Sequence, residues 1–248
     1  MSATPPSERW KLAQHDELGK WHESASEINR EYATSARNMT NIAREWLGSA
    51  REIASTDHLL QVGPAVVGEI NYFSELNTRV AIDPLAYYYI KDFSDFWENI
   101  HYLPACGEEM PFASQYFDLI LSINLLDHVR DPYQVMREMR RVLDSNGLVF
   151  FVQHVYQPLG FYMRTVSEKA YKVAPLPWLV DSKHPFTFTE ETLKTLLDKT
   201  GYRILRWQGP DWSGAKQSHR KSSKRIVRLL RGYGPLISTS CLGLLTPA

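Results

Sequence analysis

The sequence predicts a doubly wound α/β domain: a mostly parallel sheet with helices on both faces, preceded by an N-terminal helical extension. Through the middle of the chain, short apolar runs alternate with segments of helical periodicity, and Gly or Pro separates many of them. Parallel strands that are buried on both faces read as such continuous apolar runs. Repeated alternation of strand and helix places these strands in one covered sheet.

Composition and charge are those of an ordinary globular chain. Its 248 residues are 44% hydrophobic and 23% charged, and 28 Lys and Arg balance 28 Asp and Glu. These values exclude collagen, coiled coil, wholesale disorder and a wholesale nucleic-acid binder. Because no apolar run approaches the roughly 18 residues of a membrane span and no apolar signal segment opens the chain, we expect a cytoplasmic protein.

Residues 1–55 form the predicted helical extension. Large apolar side chains recur there at a helical spacing, and Pro is confined to the first six residues. This pattern predicts two or three helices. We interpret Trp10, Trp21 and Trp46 as helix-packing residues rather than as an aromatic substrate box.

Residues 56–210 form the predicted main domain, which opens with a strand, a glycine turn and a helix-compatible segment at 58–73. The turn contains Gly63 and Gly68, and a second apolar run ends at Asp83. An acid roughly 20 residues after the first glycine is typical of a nucleotide-binding β-α-β unit. Asp83 is therefore expected at the carboxyl end of the second strand.

The alternation continues through residues 116–153. A continuous apolar run at 116–124 predicts a buried strand. Asp131 is the expected N-cap of the following amphipathic helix, which Gly147 is expected to end. Another buried strand is predicted directly after that glycine.

The last third of the chain is less regular. Residues 155–185 are rich in Pro and aromatic residues and too long for a simple connection, so they predict an insertion that acts as a lid or faces the substrate. A helix is predicted from Thr189 to Gly201, followed by a strand at 202–207.

Residues 211–248 are predicted to form a basic and then apolar C-terminal tail. No acid follows Asp211, and Arg225, Arg228 and Arg231 alternate with apolar residues. This spacing suits an interfacial helix on anionic lipid, so a peripheral membrane contact is one expectation. A solvated arm, or one that binds acidic partners or nucleic acid, is the alternative, and nucleic acid ranks lowest because no stacking platform is present.

The segment 110–129, MPFASQYFDLILSINLLDHV, resembles class I S-adenosylmethionine-dependent methyltransferases of the type 11 group. The resemblance covers about residues 57–153, and 184–191 looks like that family's approach to its last helix. It implies a Rossmann-like fold and S-adenosyl-L-methionine as cofactor. It also implies methyl transfer to a small-molecule, saccharide or lipid-linked acceptor.

Strand-end positions and the resemblance together select the candidate site residues. Gly63 and Gly68 permit close approach of the backbone to a cofactor, and the Asp83 carboxylate suits a ribose diol. The resemblance adds Cys106, Gly107 and Glu108 beside adenine, and Asn124, Leu125 and His128 beside methionine and the substrate.

Methyl transfer requires mainly the alignment of donor and acceptor, because the sulfonium already activates the leaving group. A hydroxyl acceptor must also lose a proton, for which His128, His154 and His184 are candidates. We name His128 as the predicted catalytic residue. No compact cluster of metal-ligand side chains stands out in the sequence, including around Cys106 and Cys241, so no metal site is predicted.

The glycine turn departs from the pattern of the family. Gln61 stands where an acid is usual, Ala65 replaces the second glycine, and two valines follow, which disfavour positive φ. The alternative function is therefore a non-catalytic, methyltransferase-like binding or scaffold protein that has lost the cofactor. A nicotinamide oxidoreductase fits the turn no better and lacks the central resemblance.

Overall fold

The protein is described by a computed structural model that covers residues 6–23, 25–97, 99–173, 184–221 and 238–248. Its strands are β1 His58–Val62, β2 Thr78–Ile82, β3 His101–Leu103, β4 Phe117–Ile123, β5 Leu143–Tyr156, β6 Tyr202–Gln208 and β7 Ser238–Pro247. Its helices are α1 Pro6–Glu23, α2 Ala25–Ala50, α3 Ala86–Asp92, α4 Pro132–Val142, α5 Pro158–Val173, α6 Glu190–Lys199 and α7 Trp212–Arg220. None of the helices so described is long and apolar enough to cross a membrane.

The strands form one seven-stranded sheet in the order β3-β2-β1-β4-β5-β7-β6. Neighbours from β3 to β5 are parallel, whereas β7 lies antiparallel between β5 and β6. The predicted mostly parallel, doubly wound sheet is confirmed. The strand order reverses between β1 and β4, which is where open α/β sheets form a ligand crevice at their carboxyl ends.

Hydrophobic cores cover both faces of this sheet, as predicted. Side chains along β1 alternate between the faces, so Leu60 and Leu59 belong to different cores. Helices α4 and α6 fill the first core, and α2 and α3 fill the second. Successive strand residues point to opposite faces, which is why a sheet with two covered faces needs unbroken apolar strands.

Two N-terminal helices are present where two or three were predicted, but α2 is not an appendage of the domain. Ala43, Trp46 and Leu47 are buried, and Trp46 packs edge-on against Phe150 of β5 with 6.0 Å between the ring centroids. A domain boundary at residue 55 is therefore wrong for α2, because the apolar stripe of this helix covers one face of the sheet.

The segment after β1 also differs from its prediction. Only a short 3-10 turn at Glu69–Tyr72 forms where a helix was expected. The Ile70 N–H donates to the Gln61 side-chain oxygen at 2.8 Å, and the chain then turns directly into β2. Too few residues remain between the glycine turn and β2 for a long helix.

Helix α4 begins as predicted and ends earlier. The Asp131 carboxylate accepts the Tyr133 and Gln134 N–H groups at 2.9 and 3.1 Å. The helix ends at Val142 rather than at Gly147, because Leu143 already pairs with Phe117 of β4. Gly147 therefore lies within β5.

The Thr189 cap of α6 is confirmed, while the C-terminal tail needs correction. Residues Ser238–Pro247 fill a strand position inside the sheet, with Cys241, Leu244 and Leu245 buried. A tail outside the domain from residue 211 is therefore wrong for this strand. The arginine-rich segment 225–231 lies outside the described residues, as does 174–183 of the predicted insertion.

Candidate functional site

A cavity of about 380 Å³ lies at the carboxyl ends of β1, β2 and β4. Eight of the nine predicted site residues line it, and only Gly68 does not. Those eight are Gly63, Asp83, Cys106, Gly107, Glu108, Asn124, Leu125 and His128. The fold therefore brings the predicted residues together, and their individual roles toward a ligand stay predictions.

The turn after β1 adopts the left-handed region at Gly63 and Ala65, where φ is 67° and 53°. The Gly63 N–H donates to the Ile82 carbonyl at 2.8 Å and ties this turn to β2. The two valines of the turn do not take a positive φ, since the left-handed positions are elsewhere. The expected conflict between the valines and a positive φ is therefore absent, and the left-handed strain falls on Ala65 instead, while Val67 lines the cavity.

Gly68 is required for the packing of the turn and does not line the cavity. It is buried, and a Cβ added there would lie 2.6 Å from the Pro64 Cβ and 2.8 Å from the Gln61 Oε1. This glycine lets the turn fold back on the end of β1, and its predicted contact with a cofactor stays a prediction.

Asp83 lies at the end of β2, where the sequence predicts it. Its side chain is buried and its Oδ1 accepts the Leu85 N–H at 2.8 Å. Burial raises the pKa of this carboxyl to about 7, although hydrogen bonds from the Leu85 and Ala65 backbone oppose the rise. Asp83 is thus a hydrogen-bond acceptor at the cavity wall. A cationic ligand, or one that donates hydrogen bonds, would favour the ionised form of its carboxyl group.

A second carboxyl group of this kind belongs to Glu69, which the sequence reasoning missed. The Gln61 amide N–H donates to the Glu69 carboxylate, and both residues line the cavity. Burial raises the pKa of Glu69 to about 7, against the lowering effect of hydrogen bonds. The neutral Gln61 at the end of β1 is therefore paired with an acid that lies eight residues later.

The loop after β3 forms another part of the wall. Gly107 is buried, and a Cβ there would come within 3.3 Å of Val62 and Val135. The Glu108 carboxylate accepts the Arg130 N–H at 2.6 Å, so it also secures the segment that leads into α4. Burial raises the pKa of the Cys106 thiol, which makes it a poor nucleophile.

The end of β4 places Asn124 and Leu125 beside the turn of β1. Asn124 has a φ of 50°, and its backbone N–H donates to the Val152 carbonyl at 2.8 Å. Its buried side-chain oxygen has no hydrogen-bond partner within the described part of the chain. An unsatisfied acceptor in a cavity wall indicates a position for a ligand donor.

Three ionisable side chains meet at one side of the cavity. The Asp127 Oδ2 lies 4.0 Å from the His128 Nε2 and 4.0 Å from the His184 Nε2. The ligand atoms of all three residues lie within 4.8 Å of one another. The sequence shows only the adjacent pair Asp127 and His128 and predicts no metal site; the fold brings His184 to that pair.

His154 lines the same side of the cavity, and its Nδ1 lies 3.2 Å from the Ser240 Oγ. Desolvation lowers the pKa of this imidazole, and the neighbouring His184 and His128 add to the effect while Asp127 opposes it. A lowered pKa keeps His154 neutral at neutral pH.

The N-terminal helices supply part of the wall that sequence reasoning did not assign to the site. Arg130 lies over the Trp10 ring, with 4.9 Å from its guanidinium carbon to the ring centroid. Trp10 therefore belongs to the cavity, contrary to its interpretation as packing alone; the side chain of Trp21 lies outside the described set. The wall residues from α1 and α2 are Trp10, Gln14, Glu17, Tyr32, Ser35 and Met39.

The cavity is acidic. Glu17, Glu69, Asp83 and Glu108 line it, and no lysine or arginine lies among the described lining residues. A concave, partly desolvated wall with carboxyl groups of one sign attracts a cation and repels a phosphate-bearing ligand.

Residues 60–151 match a family model described as a methyltransferase domain. The ubiquinone/menaquinone biosynthesis C-methyltransferase UbiE of Vibrio cholerae is 30% identical over 152 residues, which are 54% of this chain and 52% of that protein. Human thiol S-methyltransferase TMT1B is 26% identical over 153 residues, or 58% and 61% of the two chains. The chain spans about half the length of the curated relatives it matches first. The resemblance to class I methyltransferases is thereby confirmed.

Solved structures agree with the fold. A Burkholderia thailandensis 1,6-didemethyltoxoflavin-N1-methyltransferase, bound to 1,6-didemethyltoxoflavin and S-adenosylhomocysteine, is similar with a TM-score of 0.60 and 14% identity, covering 100% of this chain and 92% of that one. The [4+2]-cyclase SpnF is similar with a TM-score of 0.57 and 14% identity, covering 85% and 80%. Because a cyclase shares the architecture, the fold by itself does not specify the reaction.

Proposed function

We propose that this chain binds S-adenosyl-L-methionine in the acidic cavity and transfers its methyl group to a small-molecule acceptor. The observation that carries the proposal is the charge of the wall: four carboxyl groups and no described lysine or arginine line the space at the switch point of the sheet. A ligand with a sulfonium and an ammonium group matches that field. A dinucleotide pyrophosphate does not.

The residues present fit this cofactor. Asp83 would hold the ribose hydroxyls at the end of β2, because its carboxylate lies buried at the wall. Glu69 and the unsatisfied oxygen of Asn124 would accept hydrogen bonds from the ammonium end of the ligand. When bound, the sulfonium supplies an electrophilic methyl group that needs little further activation.

His128 remains the proposed proton acceptor on the substrate side. It lines the cavity, and its Nε2 lies 4.0 Å from the Asp127 Oδ2. The proton to be removed belongs to the acceptor, so this role applies to a hydroxyl or thiol and is dispensable for a carbon or nitrogen that is already nucleophilic. The relatives named above act on carbon and thiol sulfur, and their chemistry supports a small-molecule acceptor without choosing between these atoms.

Calorimetry and thermal unfolding with three ligands test the proposal. We expect S-adenosylmethionine and S-adenosylhomocysteine to raise the melting temperature, since a ligand that binds only the folded chain stabilises it, and NAD⁺ to leave it unchanged. Asp83→Ala should weaken binding of S-adenosylmethionine by roughly tenfold to a hundredfold through lost hydrogen bonds to a charged group.

Asp95→Asn is the matched control, because Asp95 is an exposed acid outside the cavity lining. Its affinity should equal that of the unmodified chain. If neither adenosyl ligand shifts the melting temperature at millimolar concentration, the protein is the non-catalytic alternative. Equal stabilisation by NAD⁺ would also contradict the proposal.

A further inference from the structure

We propose that Asp127, His128 and His184 form a binding site for one divalent transition-metal ion at the side of the cavity. The Asp127 Oδ2 lies 4.0 Å from each of the two imidazole Nε2 atoms, and no two of the three ligand atoms are more than 4.8 Å apart. This trio differs from a chance surface cluster because a single buried carboxylate oxygen lies near both rings.

The separations are close to those around one shared ion. Two ligand atoms that each lie about 2.1 Å from a tetrahedral metal ion are about 3.4 Å apart. Both carboxylate–imidazole distances, at 4.0 Å, are slightly longer than this. The two rings stand at 60° with centroids 4.7 Å apart, so the side chains would have to rotate to bring both nitrogens into one coordination sphere.

A second layer of hydrogen bonds orients the carboxylate. The Gln153 side-chain N–H donates to the Asp127 Oδ1 at 2.8 Å, and the Gln153 Oε1 accepts the Leu126 N–H at 2.9 Å. Only Oδ2 then remains directed toward the imidazoles. Metal-ligand carboxylates and imidazoles characteristically have such supporting partners, which fix the ligand before the ion arrives.

The backbone also fixes the distant histidine. The Phe186 N–H donates to the Asp127 carbonyl at 3.5 Å, and the Tyr156 N–H donates to the Phe188 carbonyl at 2.8 Å. These bonds attach the segment before α6 to the ends of β4 and β5. His184 lies two residues before Phe186, so these bonds restrict its position.

Two imidazoles and one carboxylate select the class of metal. Imidazole suits Zn²⁺, Co²⁺, Ni²⁺ and Fe²⁺, whereas Mg²⁺ and Ca²⁺ prefer oxygen ligands alone. Three protein ligands leave coordination positions for a further group, and a metal ion lowers the pKa of a hydroxyl or thiol bound to it. The inference that the hydroxyl or thiol of the methyl acceptor binds the ion rests on the proposed function. The ion site itself does not. In the metal-loaded protein His128 is a ligand, and the ion takes over its part in favouring the deprotonated acceptor.

Titration with metal alone tests the site. The full chain, free of any affinity tag and stripped with a chelator, is titrated with Co²⁺ by visible absorption and with Zn²⁺ by calorimetry. We expect one ion per chain, and at least about a tenfold loss of affinity in Asp127→Asn and in His184→Ala, since even loss of a supporting partner costs that much. His101→Ala removes an exposed imidazole from β3 and should bind as the unmodified chain does.

The outcomes separate the ion site from the proposed function. Equal Co²⁺ affinity in the unmodified chain and both ligand variants overturns the inference, as does loss of affinity in His101→Ala of the same size. If Asp127→Asn does not fold, His184→Ala alone decides. Specific ion binding without any effect of S-adenosylmethionine on the melting temperature would contradict the methyltransferase proposal and leave the ion site standing.

Discussion

At the carboxyl end of the sheet, burial makes the ionised form of two carboxyl groups unfavourable. Asp83 and Glu69 both lie at the wall of a cavity without a described basic partner, and burial raises the pKa of each to about 7. A bound cation would therefore stabilise the ionised form of both groups. Binding of a cationic ligand should accordingly weaken as the pH falls below 7, because protonation removes the charge that attracts it.

The same shift predicts how stability depends on pH. The folded pKa of Asp83, about 7, lies above its ordinary value of 3.8, so the folded state binds more protons between those values. The free energy of unfolding should therefore fall as the pH rises through that window and level off above it. Asp83→Asn should raise the free energy of unfolding by roughly 2–4 kcal/mol at about pH 8 and leave it little changed at about pH 4.

Urea denaturation at both pH values measures this effect. Asp95→Asn, at an exposed position, is the control and should follow the unmodified chain. A pH dependence that is the same in Asp83→Asn as in the unmodified chain would show that Asp83 is not held at a raised pKa.

Helices and strands begin where the local sequence predicts when a short-range interaction sets that boundary. Asp131 caps α4 through two backbone N–H groups, and Pro132 occupies the first helical position. Asp131→Ala should lower the free energy of unfolding by about 1 kcal/mol, while Asp131→Asn should stay within a few tenths of that of the unmodified chain. Denaturant titration measures both, and equal losses in the two variants would contradict the capping role.

Other elements are defined by their neighbours. The apolar segment of β7 enters the sheet between β5 and β6, and a Cβ at Gly243 would lie 2.9 Å from the Trp207 ring. The sequence of β7 has no acid and no alternation of polar and apolar residues, so it does not indicate where in the sheet this strand lies. Its place follows from pairing across a long separation in sequence, which periodicity does not encode.

The whole molecule closes its cavity with parts that are far apart in the chain. Helices α1 and α2 contribute wall residues opposite the strand ends, among them Trp10 beside Arg130. Trp10→Ala should weaken binding of S-adenosylmethionine roughly fivefold, about 1 kcal/mol, through loss of the ring and its cation–π contact.

Tyr87→Ala is the control for that variant, since Tyr87 is an exposed aromatic residue of α3 that does not line the cavity. Calorimetry should give it the affinity of the unmodified chain. Unchanged binding in Trp10→Ala would remove α1 from the ligand site and leave it as a surface helix.

The sequence by itself determined the fold class, the helix caps and most of the residues at the strand ends, because these depend on apolar periodicity and on short-range hydrogen bonds. Asp83 was found in this way, since it follows a recognisable strand, whereas Asn124 was selected by the family resemblance. Only the tertiary structure decided that Glu69 accompanies Gln61, that α1 walls the cavity, and that His184 joins Asp127. Those contacts arise from the order of strands in the sheet, and the free energy that sets this order comes from packing between segments that no local pattern connects.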